Sequence, residues 1–308
     1  MWFLIALASA FMLGFYDVFK KKSLQGNAVI PVLFFITLVC SLLFLPFILL
    51  SASGTVGIGS ELYIPMGTLE NHKYVIIKAL IVLSSWICGY YAIKHLPLTI
   101  AGPINATRPV LTLIGAFAIY GDKLNAWQWA GVILSVLSFF LLSRSGKKEG
   151  LNFFHNGWVM LLVLAALLGA SSGLYDKYLM SPTEQGGLGM NKLFVQGWYN
   201  IYQCLLMLLV LCMVWLPSRG KSDKFVWRNS IILISLFLTA ADLCYFYALS
   251  FPDALISIVS MVRRGSVIVS FFFGALIFHE KNLRSKTFDL LLVILGMICL
   301  CIGTFQLS

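Results

Sequence analysis

Residues 29–50 read VIPVLFFITLVCSLLFLPFILL, a stretch without a single charge. As a helix it covers roughly 33 Å at 1.5 Å per residue, enough to cross a hydrocarbon core of about 30 Å. Working outward, apolar runs of similar length occupy 2–19, 74–94, 98–120, 126–143, 157–177, 193–216, 229–249, 254–278 and 287–305. The composition follows from these runs. Of 308 residues 60% are apolar and 11% charged, and mean hydropathy is +0.91. A soluble domain is about a quarter charged, so a soluble enzyme, a disordered chain and a secreted domain are excluded. The formal charge of +10 would suggest nucleic acid, but the bases lie in short interruptions between apolar runs, as in membrane loops. The expected fold is an all-α membrane protein of ten transmembrane helices. The first run has no basic start and no small-x-small cleavage site, and is read as a retained helix.

Cys40, Cys88, Cys204, Cys212, Cys244, Cys299 and Cys301 all fall inside apolar stretches. Such thiols behave as small apolar side chains. No Cys-x-x-Cys or His-Glu-x-x-His occurs, so neither a disulfide framework nor a metal site nor any cofactor is expected. The loops 51–73, 144–156 and 181–192 are too short to be domains and read as solvated.

The halves repeat. Gly14-Phe15-Tyr16-Asp17 near the end of span 1 returns as Gly173-Leu174-Tyr175-Asp176 near the end of span 6. Tyr91-Ala92 leading to Pro97 and Arg108 returns as Tyr247-Ala248 leading to Pro252 and Arg263. Gly121-Asp122-Lys123-Leu124 closes span 4, and His279-Glu280-Lys281-Asn282-Leu283 closes span 9. Two units of five spans, 1–149 and 150–308, are expected. An odd number of spans forces the second unit to enter the membrane upside down, an inverted repeat of the kind that places a site near the midplane.

Here the sequence resembles the EamA-type branch of the drug/metabolite transporter superfamily. The matching residues are Lys20, Pro109-Val110, Gly121-Asp122 and Gly131 in the first half, and Ala248-Leu249, Glu280 and Gly296 in the second. Two positions depart: Arg264 or Gly265 stands where the second half would have its Pro, and Asp122 replaces a Glu. The resemblance implies a secondary transporter. It does not imply a cargo, since relatives carry amino acids, nucleotide sugars and phosphorylated sugars.

Charges at membrane depth cost roughly 2.5–3.5 kcal/mol each on insertion scales. Arg108 falls in span 4, Asp242 in span 8, and Arg263 and Arg264 in span 9. Asp242 neutralises at most one Arg, and the surplus favours an anion, whose carboxylate or phosphate fits the guanidinium fork. Substrate candidates are Arg108, Arg263, Arg264, Asn105, Tyr90, Trp86, Tyr245 and Asn200. Helical spacing aligns Asn105 with Arg108 and Thr112, and Ser257 and Ser260 with Arg264. It places Arg263 and Arg264 on different faces. Pro109 frees a backbone carbonyl beside Arg108. Asp242, Asp17, Asp176, Tyr16 and Tyr175 are candidates for coupling or gating; for Asp17 the competing reading is an interface carboxylate paired with Lys20 and Lys21.

The expected function is transport of a small anionic or zwitterionic metabolite by alternating access. The expected partners are that substrate, the lipid bilayer and a coupling proton or ion, with no nucleic acid. The location is the membrane, as in a bacterial inner (plasma) membrane. The competing class is an integral membrane enzyme acting on a phosphorylated lipid or metabolite, for which no nucleophile motif or paired carboxylate is found. Lys20, Lys21, Lys22, Lys94, Arg144, Lys147, Lys148, Arg219, Lys221, Lys224, Arg228, Lys281, Arg284 and Lys286 lie opposite the N-terminus; Lys73, Lys78, Lys123, Lys177 and Lys192 lie on its side. This bias puts both termini outside, whereas the resemblance implies both inside.

Overall fold

The computed structural model describes residues 2–305 apart from 58, 61, 121–124, 148–154, 181–182, 221–222, 250–255 and 279–282. The motifs at 121–124 and 279–282, with Pro252, lie outside the described residues, as do the side chains of Ser257 and Ser260.

Among the described residues there is no strand. The helices are α1 (Trp2–Leu24), α2 (Val29–Ala52), α3 (Leu69–His95), α4 (Leu98–Ala106), α5 (Arg108–Tyr120), α6 (Ala126–Lys147), α7 (Gly157–Met180), α8 (Lys192–Val210), α9 (Leu216–Ser218), α10 (Ser230–Leu249), α11 (Ile256–Arg264), α12 (Ser266–Phe278) and α13 (Leu283–Phe305). A π-helical turn, Leu211–Trp215, joins α8 to α9. The described part of every expected run is helical, and among the described residues six helices are long and apolar enough to cross a membrane. Leu49, Ile133, Val136, Met213 and Phe288 are each more than half exposed, the surface of a protein whose solvent is lipid.

Two spans expected to be continuous are broken. α4 gives way to α5 at Thr107, and α11 to α12 at Gly265. Pro109 lacks the N–H that would bond Asn105, and the chain tightens to i→i−3 bonds, Thr107 to Ile104 at 3.2 Å and Val110 to Thr107 at 3.0 Å. The second break has the same bonding, Gly265 to Val262 at 2.9 Å and Ile268 to Gly265 at 3.0 Å, without a proline.

Loop 51–73 is only partly solvated. Ile64 is buried against Phe44 and Ile48, with its amide on the Ser51 hydroxyl at 3.0 Å. Trp198 donates to the Pro65 carbonyl at 3.1 Å. Gly67 turns the chain into α3 with φ +68°, and the Phe194 ring occupies the space a side chain would need.

The helices pair across the halves. α1 lies along α10, with Ser9 donating to the Ala241 carbonyl at 2.6 Å and Phe15 and Phe19 stacked on Phe237. α3 lies along α7, with Ser85 donating to Ala165 at 2.7 Å. α2 packs on α8, and α4 on α12 through Gly102, where an added Cβ would stand 2.7 Å from Val267. α6 packs on α13, where a Cβ on Gly131 would stand 2.8 Å from the Gly296 carbonyl. Gly131 and Gly296, both quoted for the family resemblance, therefore meet, allowing the close backbone approach typical of membrane helix pairs.

Candidate functional site

The breaks position the buried charge. Arg108 opens α5, and its guanidinium lies against Gly169 of α7, where a Cβ would stand 2.9 Å from Cζ and Nη1. Arg264 closes α11, near enough to Arg108 for the two charges to repel each other. Neither guanidinium has a hydrogen bond or an ion pair among the described residues, and Arg108 Nε and Asn105 Oδ1 are buried without a partner. Asp17 is within electrostatic reach of both but holds Lys20 instead, at 2.6 Å.

Arg263 is different. It pairs with Asp242 of α10 and covers the Tyr245 ring at 4.7 Å, joining α11 to α10. The competing structural reading of Asp242 thus describes one arginine of the three.

Two further clusters lie at different levels along α3. At one, the hydroxyls of Tyr16 and Tyr90 share a hydrogen bond of 3.1 Å. Lys20 sits over both rings, at 4.4 and 5.1 Å, and Trp86 stacks on Tyr90. At the other, Lys78 pairs with Asp176 of α7 and lies 5.2 Å from the centre of the Tyr199 ring. Tyr90 and Lys78 are roughly 18 Å apart along the helix. Gly169 falls between Ala165, which meets Ser85 and Gly89, and Asp176, which meets Lys78. Arg108 therefore lies between the two levels.

Several expectations are corrected. Asn105 and Arg108 sit in different helices, so their spacing does not describe one continuous stripe; Thr112 turns back to the Arg108 carbonyl at 3.0 Å. Lys21 does not serve Asp17: it caps the end of α3, donating to the carbonyls of Ile93 at 2.6 Å and Leu96 at 2.5 Å. Lys78, counted among loop bases, is buried within a spanning helix. Tyr175 donates to the Tyr74 carbonyl at 3.3 Å, and Asn200 to the Gln196 carbonyl at 2.9 Å. Lys78 as a site neighbour, and Gly169 as the floor under Arg108, were missed. A lysine within an otherwise apolar run was the available signal for the first; nothing marked Gly169.

The EamA-like transporter family matches residues 1–144. No curated protein matches the chain. Among solved structures 27 chains match. One crystal structure aligns with a TM-score of 0.63 at 13% identity, over 100% of this chain and 99% of the other. That likeness bears on the fold alone. Residues 1–144 of this integral, multi-pass membrane protein thus match the EamA-like transporter family, of the drug/metabolite transporter superfamily.

Proposed function

We propose that the chain is a secondary transporter for a small anionic or zwitterionic metabolite, which binds between the broken spans at Arg108 and Arg264. One observation carries this reading: two guanidinium groups at membrane depth, each at a helix break, with no carboxylate at ion-pair distance among the described residues. Uncompensated buried charge is expensive, and a ligand of opposite charge removes much of that cost. Asn105, Tyr90, Trp86, Tyr245 and Asn200 line the approaches; Arg263 is held by Asp242 and shapes the wall.

Two five-helix units, 1–149 and 150–308, related by an axis in the membrane plane, supply alternating access. The helix pairing supports this relation. Numbering spans in order, 1 pairs with 8 and 3 with 6, while 2, 4 and 5 pair with 7, 9 and 10. Exchanging every span for its counterpart five positions on leaves that pattern unchanged. Asp17 and Asp176, at matching positions in the units, are each held by a lysine at opposite levels of the arginines. They are the proposed gate or coupling groups with Tyr16 and Tyr175, and Asp242 is the third acid available to a coupling proton or ion.

The test is a thermal-shift screen of the purified protein against monocarboxylates, dicarboxylates, phosphate monoesters and amino acids, since a ligand stabilises the state it binds. A stabilising anion should lose its effect in Arg108→Gln and Arg264→Gln and keep part of it in the Lys variants, which lack the two-pronged contact. Stabilisation by the anion that persists in both Gln variants would sink the proposal.

A further inference from the structure

One face of α8 carries Gln196, Tyr199, Asn200, Gln203 and Met207, a stripe at i, i+3, i+4, i+7 and i+11, all buried. Gln196 is 3% exposed and Gln203 1% exposed, and among the described residues neither carboxamide has a partner for its oxygen or its nitrogen. Each carboxamide offers two donors and an acceptor. Leaving such a group buried and unbonded is costly, and in folded proteins it marks a place where water or a ligand belongs. Two on one helical stripe, roughly 10 Å apart, are not a chance defect. Tyr199, between them, fixes where the stripe points: its ring meets Lys78 of α3, and it lies within electrostatic reach of Asp176, Asp242 and Tyr16. Tyr16 is likewise within reach of Arg108. Lys78 in turn pairs with Asp176 of α7, and Gly169, two turns earlier in α7, lies against Arg108, so the stripe and the arginine site meet the same packed pair of helices, α3 and α7.

We infer that Gln196 and Gln203 form a second, uncharged subsite, which takes the hydroxyl or amide groups of a substrate whose anionic end lies at Arg108 and Arg264. The inference rests on the anion reading above and adds that the cargo is bipolar, an acid or phosphate with a hydrogen-bonding body. A site built from carboxamides selects for hydroxyls and against methylenes, because an alkyl body leaves the amides unbonded.

The probes are two pairs of equal charge that differ in hydroxyls: gluconate with hexanoate, and glycerol 3-phosphate with propyl phosphate. Affinities are measured calorimetrically on the full chain in nanodiscs. The protein should prefer the hydroxylated member of at least one pair by tenfold or more. In the Gln196→Leu/Gln203→Leu double variant that preference should fall to about one, with the loss on the hydroxylated probe. The variant should fold at least as stably as the parent, since it removes two unbonded amides; Gln196→Met and Gln203→Met provide the same comparison singly. If both members of each pair that binds do so equally, or the preference survives in the double variant, the subsite is refuted and the arginine site stands. If no probe binds, or if binding of every probe survives in Arg108→Gln and Arg264→Gln, the arginine site fails and the subsite with it.

Discussion

Arg108 depends on the absence of one methyl group. Its guanidinium covers Gly169, and a Cβ there would come within 2.9 Å of Cζ. The obstructed atoms are the free end of a flexible side chain, so Gly169→Ala should change stability by less than about 0.5 kcal/mol. It should nevertheless weaken anion binding about tenfold, because a displaced guanidinium loses its bidentate geometry. Calorimetric affinity beside thermal unfolding separates the two, and a stability loss with intact affinity would contradict this role for Gly169. Asp242 gives the opposite signature. Its side chain is 22% exposed and that of Arg263 18%, so Asp242→Asn strands a largely buried cation and should cost on the order of 2–4 kcal/mol. Adding Arg263→Gln should recover most of that loss, as denaturation of the single and double variants would show. These contrasting roles were legible only as a surplus of Arg over Asp. Which guanidinium was paired depended on the direction of each side chain from α11, which composition does not contain.

At the level of the element, the apolar helical runs were legible because a membrane imposes a length and excludes open backbone. Their interruptions were only half legible. Pro109 announced a freed carbonyl, but Gly265 did not announce its break, since glycine within a helix costs only about 1 kcal/mol relative to alanine and does not compel an interruption. The contact between α6 and α13 was foreshadowed by Gly131 and Gly296 as family positions, without a sign that they touch. That contact makes its own prediction. A Cβ on Gly131 would meet the Gly296 backbone at 2.8 Å and Leu300 Cγ at 2.7 Å, and backbone cannot swing aside. Gly131→Leu should destabilise by about 1–3 kcal/mol through overpacking, while Val136→Ala on the exposed face of the same helix should stay within about 0.5 kcal/mol. Equal melting temperatures for the two variants would show that α6 and α13 do not pack this closely.

Across the whole molecule, charge decides which way the bundle sits, and the structure changes which charges count. The positive-inside bias acts through bases in loops and near helix ends. Lys78 drops out on the N-terminal side, because it is buried within α3 and paired with Asp176. On the opposite side Lys20 and Lys21 are buried, one on Asp17 and one on the end of α3. Lys22, Lys94, Arg219, Lys224, Arg228 and Arg284 remain there among the described residues, near helix ends or in loops. Several of them tie that face together: Lys94 pairs with Asp223, and Arg228 donates to the carbonyls of Lys22 at 2.6 Å and Gln25 at 2.8 Å. The N-terminal face keeps Lys73 and Lys192 near the starts of α3 and α8. The imbalance survives the correction, so the charge rule predicts a cytoplasmic basic face with both termini outside. A C-terminal alkaline phosphatase fusion should be active and a C-terminal green fluorescent protein fusion dark. Moving bases should reverse the result: neutralising Lys22, Arg219, Lys224 and Arg228 while adding lysines to the 51–68 loop should light the fluorescent fusion. Fluorescence from the unmodified chain would instead show both termini inside, as the family resemblance implies, with the basic face exported against its charge.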